Sequence, residues 1–123
     1  MVALERCCQG LKERLDCGMR YDAFQARLAD AVLKTQGDTP EGLRRAVLDR
    51  AAGARDGVPP ELKAYVDKVA RHAYRVTDED VAALKRAGHS EDKIFELTVA
   101  AAVGAALHRL ERGMAALRGE ERD

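Results

Sequence analysis

The chain has no tryptophan, only three tyrosines and two phenylalanines, and only three prolines in 123 residues. With so few aromatic rings, its core must be filled by Leu, Val and Ala, and that composition suits closely packed helices. An excess of charge is missing too, since 21 Lys and Arg balance 21 Asp and Glu. A balanced chain lacks the overall field that draws a protein to nucleic acid or to anionic lipid, so neither is an expected partner. No run of 18 or more apolar residues occurs, and charges interrupt the start, "MVALERCCQGLKERLDC", where a secretory leader would be apolar. These absences predict a cytoplasmic chain with no membrane partner. Cysteine stops at Cys17. An odd number of thiols, Cys7, Cys8 and Cys17, is no disulfide framework, and reduced thiols are the expectation.

What is present is helical periodicity. Leu4, Cys8, Leu11 and Leu15 repeat at four, three and four residues, with charges between them, up to a stop near Cys17 and Gly18. Phe24, Leu28, Ala31, Val32 and Leu33 carry a second helix to "TQGD". Gly37 breaks it, and Thr39, Pro40 and Glu41 read as an N-cap, a first-turn proline and a first-turn acid for a helix through Leu43, Val47 and Ala51. "GARDGVPPE" is the sharpest break in the chain.

Beyond it, Pro60 opens a helix whose apolar face is Leu62, Val66, Val69 and Ala73, with Tyr65 beside it. Thr77 and Asp80 form a capping-box pattern, Val81 and Leu84 give that helix its buried side, and Gly88 is placed to end it in a left-handed conformation. Ser90, followed by Glu91 and Asp92, begins the last and longest helix. Its inner face is expected at Ile94, Leu97, Ala101, Gly104, Leu107 or His108, and Met114. Ala and Gly at its middle permit close approach of another helix. Nothing reads as a strand, so the fold class is all-α. "RGEERD" is a polar tail.

The run from Pro59, "PPELKAYVDKVARHAYRVTDEDVAALKRAGHSEDKIFELTVAAAVGAALHRLERGMAAL", resembles the carboxymuconolactone decarboxylase and AhpD-like family. Its most specific part is "AG", then "SEDKIFEL", then the Ala-rich helix, and the likeness extends over roughly Leu43 to Leu117. The resemblance implies an AhpD-like helical hairpin domain over 39–118, an N-terminal two-helix extension over 1–38 and a polar tail over 119–123. It implies a homo-oligomer (dimer, trimer or hexamer), and either peroxidase-type disulfide chemistry or decarboxylation of a lactone acid, a small-molecule substrate in both cases.

The redox branch of that family carries Cys-x-x-Cys, a histidine four residues later and a glutamate about one dozen residues upstream. Counted back from Gly88, those positions hold Ala73 and Val76, Asp80, and Glu61. Only the glutamate matches, and no shift of register creates a cysteine pair beyond Cys17.

Catalytic candidates are therefore Glu61, His72, Tyr74 and Asp80, as general acid or base in a pocket between helices or subunits. Each also has a structural reading. His72 and Tyr74 end a helix, where a histidine can bond free carbonyls, and Asp78, Glu79 and Asp80 occupy a first turn. Cys7, Cys8 and Cys17 are the redox alternative. On one straight helix Cys17 lies about 13 to 15 Å from the other two, too far for a disulfide, and Cys8 also reads as a small core residue. His89, after Gly88, is expected at the surface, and His108 in a core or interface. No His-x-x-x-His or Cys/His cluster and no phosphate loop or dinucleotide fingerprint occurs, so no metal and no cofactor is expected. Three readings stay open: a lyase-type enzyme, an antioxidant with relocated thiols, and a non-catalytic helical oligomer.

Overall fold

The computed structural model describes residues 21–54 and 57–119, which form helices and the segments joining them and contain no strand. The chain divides into two compact units, Met1–Ala31 and Val32–Asp123. In the first, the described residues 21–31 are helical. The predicted helix around Leu4 to Leu15, and all three cysteines, lie outside the described residues.

The second unit begins with helical residues 32–34 and then holds four α-helices: α1 (Glu41–Ala51), α2 (Pro60–His72), α3 (Asp78–Arg86) and α4 (Glu91–Leu117). The fold is all-α. Its longest element, α4, has 27 residues and so runs about 40 Å. The most extensive packing is of α1 against α4, followed by α2 against α4.

Local sequence explains the helix ends after Gly57. Pro60 sits in the first turn of α2, where its missing N–H costs nothing. Thr77 and Asp80 complete both halves of a capping box at α3. At the far end of α3, His89 N–H donates to the Leu84 carbonyl and Gly88 N–H to the Lys85 carbonyl, the paired bonds of a Schellman turn. Gly88 supplies the left-handed residue, φ +98°. Ser90 Oγ accepts from the Lys93 N–H to start α4.

One predicted cap is different. Thr39 is not the N-cap of α1: Pro40 holds that position, with no side-chain cap bond. Thr39 is instead buried, and its N–H donates 2.7 Å to the Glu96 carboxylate of α4.

The core joins Leu33, Val47, Leu48, Leu62, Val66, Ile94, Leu97 and the small residues Ala100, Ala101 and Ala105. Gly104 is the point of closest approach, where a Cβ would overlap the Leu48 carbonyl oxygen and press on Ala51. Tyr65 is buried with its hydroxyl 2.7 Å from Thr98 Oγ1. Arg109 of α4 donates 2.8 Å to the Ala70 carbonyl near the end of α2, a cation at the negative end of that helix. One expected inner-face position is corrected. Ala73 is exposed, because α2 ends at His72 and the chain tightens into one 3-10 turn, Ala73–Arg75. Of the alternatives Leu107 and His108, Leu107 is half-buried and His108 exposed, and Ala105 is buried on that part of α4.

Candidate functional site

The joint between α2 and α3 carries most of the candidate catalytic residues. Asp80 accepts from the Thr77 N–H at 2.9 Å and from the Thr77 hydroxyl at 3.2 Å, which closes the capping box. Lys68, projecting from α2, reaches both Asp80 oxygens at 2.9 Å. The Lys68 ammonium first, and then the Thr77 N–H, holds the Asp80 carboxyl below the ordinary carboxylate range. At neutral pH it is an ion tying two helices together and has no proton to give. A lowered pKa also makes it a poor proton acceptor.

The other three candidates do not converge on it. His72 and Tyr74 are exposed, Tyr74 to 79%. Their rings meet edge to face with centroids 6.0 Å apart, and the Arg75 guanidinium lies 5.7 Å from the Tyr74 ring centre. This is an aromatic and cationic cluster on the outside of the joint. Glu61 is exposed in the first turn of α2, about 16 Å along the helix axis from His72. Ala73 and Val76 offer no reactive group at the positions that carry the dithiol in the resembled family.

A concave region lies elsewhere, on the side of α2 that faces the end of α1. This cleft, of about 510 Å³, is lined among the described residues by Arg50, Lys63, Asp67 and Arg71 together with Gly53, Ala54 and Gly57. Arg50 and Asp67 form a two-pronged ion pair at 2.9 and 2.7 Å. The Asp67 hydrogen bond raises the Arg50 guanidinium further above its already high value. Lys63 and Arg71 flank that pair at four-residue spacing on the same helix face. The described lining has no thiol, hydroxyl or imidazole. It can attract a small anion by charge.

Sequence reasoning missed a third group. Glu96 lies on α4 and accepts from the Asp38 N–H at 2.9 Å and the Thr39 N–H at 2.7 Å. The neighbouring Thr39 hydroxyl, placed close but without a well-aligned hydrogen bond, favours the carboxylate most, and the two N–H donors add to it. Arg44 also attracts it electrostatically. Arg44 is itself buried and donates 2.9 Å to the Val32 carbonyl. Gly37 completes the arrangement, because a Cβ there would occupy the Glu96 carboxylate's position. The available signal was an acid on α4 beyond the first helical turn, where a dipole role no longer accounts for it.

The remaining histidines do not make a site. His89 is half-buried rather than at the surface, with Nε2 buried and unpartnered among the described residues, and its N–H is tied to the Leu84 carbonyl by the Schellman turn. His108 stands near Gly53. No group of three or more His, Cys, Asp or Glu among the described residues is placed to hold a metal ion. No helix among them is long and apolar enough to cross a membrane.

No family model, no curated protein and no solved structure matches the chain.

Proposed function

We propose that this chain is a carboxymuconolactone decarboxylase/AhpD-like helical protein that has lost the family's redox centre and acts without turnover at the α2–α3 joint. The observation that carries the reading is the state of Asp80. It stands where the resembled redox family has its histidine, and it is committed to a helix cap and to Lys68. A group ionised and saturated in this way replaces a proton shuttle with a structural tie. Ala73 and Val76 at the dithiol positions support the same conclusion.

The competing enzymatic readings differ in what they require. The antioxidant reading requires Cys7, Cys8 or Cys17 to provide a thiolate and a resolving partner. The lyase-type reading requires Glu61, His72, Tyr74 or Asp80 to move a proton next to a bound acid. The experiment is hydroperoxide consumption with a thiol reductant, run on the parent and on a variant with Cys7, Cys8 and Cys17 changed to Ser. A parallel incubation with small lactone carboxylic acids follows CO2 release. The proposal expects background rates throughout. Peroxide consumption lost in the triple variant would replace it with the antioxidant reading, and CO2 release lost in His72→Ala or Asp80→Asn would replace it with the lyase reading.

A further inference from the structure

Asp67 lies four residues after Lys63 and four before Arg71 on one face of α2, the spacing at which a carboxylate on a helix ordinarily pairs with a neighbouring cation. It pairs with neither. Both of its oxygens are taken by Arg50 of α1, at 2.9 Å from Nε and 2.7 Å from Nη2. Lys63 and Arg71 are exposed and have no ion-pair partner among the described residues. The pair between helices also fixes the Arg50 guanidinium, whose Nη1 has no acceptor among the described residues. Three cations and one carboxylate thus line a single cleft of about 510 Å³, in a chain whose charges balance overall.

We propose that this cleft binds a small phosphorylated molecule, with Arg50, Lys63 and Arg71 holding its phosphate group. The volume lies within the range of small-molecule sites, about 300 to 1,000 Å³. The rest of the described lining, Gly53, Ala54 and Gly57, is small and leaves the space open. This end of α1 is its negative pole, but the Asp49 and Arg50 carbonyls there accept from the Ala54 and Gly53 N–H groups and are not bare toward an anion.

Charge and shape select phosphate. Arg50 and Asp67 offset one another, so the surplus in the described lining is that of Lys63 and Arg71. A phosphate monoester carries about −1.5 to −2 at pH 7 and matches that surplus, whereas one carboxylate carries half as much. Lys63 and Arg71 stand about 12 Å apart along the axis of α2, and Arg50 meets Asp67 midway between them. Cations approaching from two helices and from both directions along one of them suit an acceptor with three terminal oxygens better than a planar one with two. The inference rests on the cleft and not on the resembled family, so it holds or fails independently of whether the α2–α3 joint is inert.

The test is titration of the isotope-labelled full chain with inorganic phosphate, glycerol 3-phosphate and phenyl phosphate, followed by NMR, beside succinate as a dicarboxylate of similar charge. Saturable shifts are expected at the Gly53, Lys63, Asp67 and Arg71 amides and at the Arg50 Nε–H. Lys63→Gln and Arg71→Gln, both at exposed positions, should each weaken binding about tenfold and leave the rest of the spectrum in place. Lys85→Gln removes the same charge from α3, outside the cleft, and should leave the affinity unchanged. Asp67→Asn frees Arg50 and should weaken binding even though it makes the cleft more positive.

Absence of a saturable shift with all three phosphate compounds would overturn the inference. So would succinate binding as tightly as the phosphate esters, Lys85→Gln weakening binding as much as Lys63→Gln, or Asp67→Asn binding at least as tightly as the parent, since each of these means attraction by diffuse charge.

Discussion

Asp80 and Glu96 are both carboxylates that accept hydrogen bonds from backbone N–H groups, yet they operate over different distances. Asp80 bonds Thr77, three residues away, and Lys68 on the adjoining helix. Glu96 bonds Asp38 and Thr39, whose positions in the chain are nearly half its length away. The first closes a local motif that any helix start can use. The second fixes how α1 enters its packing against α4, directly beside the buried Arg44 and a short way along α4 from Gly104. The contrast separates what a helix needs in order to begin from what a fold needs in order to close.

The strongest way to break the long-range side of this comparison is at Gly104. Alanine there would drive a methyl group into the Leu48 carbonyl, and overpacking of this type costs about 1 to 3 kcal/mol even though Ala is the better helix former. Urea denaturation should show a lower midpoint for Gly104→Ala, and an unchanged midpoint would mean that α1 and α4 do not meet as described.

Removing the anchor comes next. Glu96→Ala leaves two N–H groups without their charged acceptor and should cost on the order of 1 to 2 kcal/mol. Glu96→Gln keeps one acceptor oxygen and should lose less. On the local side, Gly88→Ala has open space around the added methyl but a left-handed backbone, so strain alone should cost about 1 kcal/mol by thermal melting.

The acid limb sharpens the comparison further. Asp80, Glu91 and Glu96 all have carboxyls held below their ordinary range: Asp80 by Lys68 and Thr77, Glu91 by Lys85, and Glu96 by Thr39 and Asp38. A carboxyl depressed in the folded state binds fewer protons than in the unfolded chain. Its contribution is present above the unfolded value, near pH 4, and is lost as pH falls through the folded value. Stability should therefore be level above about pH 5 and decline below pH 4, with a shallower decline in Asp80→Asn and in Glu96→Gln. The smallest effect is a gain. Gly42→Ala, in the first turn of α1 with nothing near its Cβ position, should add about 0.5 to 1 kcal/mol.

Much of the fold was legible in the sequence because much of it is written locally. The caps at Thr77 and Ser90, the stop at Gly88 and the start at Pro60 each depend on neighbours within a turn, and each stands where the residues place it. Thr39 was misread for the complementary reason. It looks like a cap beside Pro40, but its N–H is held by Glu96 on α4 and the helix begins one residue later, after Pro40, and periodicity has no access to that distant partner. Ala73 failed because a helical face persists in a pattern after the backbone has stopped being helical.

The chemical expectation met a similar limit. Glu61, His72, Tyr74 and Asp80 were selected by residue type and by register against a family pattern. The structure places Glu61 at the far end of α2 from His72, Tyr74 in solvent and Asp80 in an ion pair. The cleft of Arg50, Lys63, Asp67 and Arg71 had no motif to announce it, since basic and acidic residues four apart on a helix also describe an ordinary solvated face.

The most direct measurement is amide hydrogen exchange followed residue by residue in Glu96→Ala and Asp80→Asn. The account predicts that Glu96→Ala speeds exchange at Asp38 and Thr39 and along α1 while α3 keeps its protection, and that Asp80→Asn speeds exchange only around Thr77 and the first turn of α3. Loss of protection along α1 in Asp80→Asn, or full protection of α1 in Glu96→Ala, would contradict it.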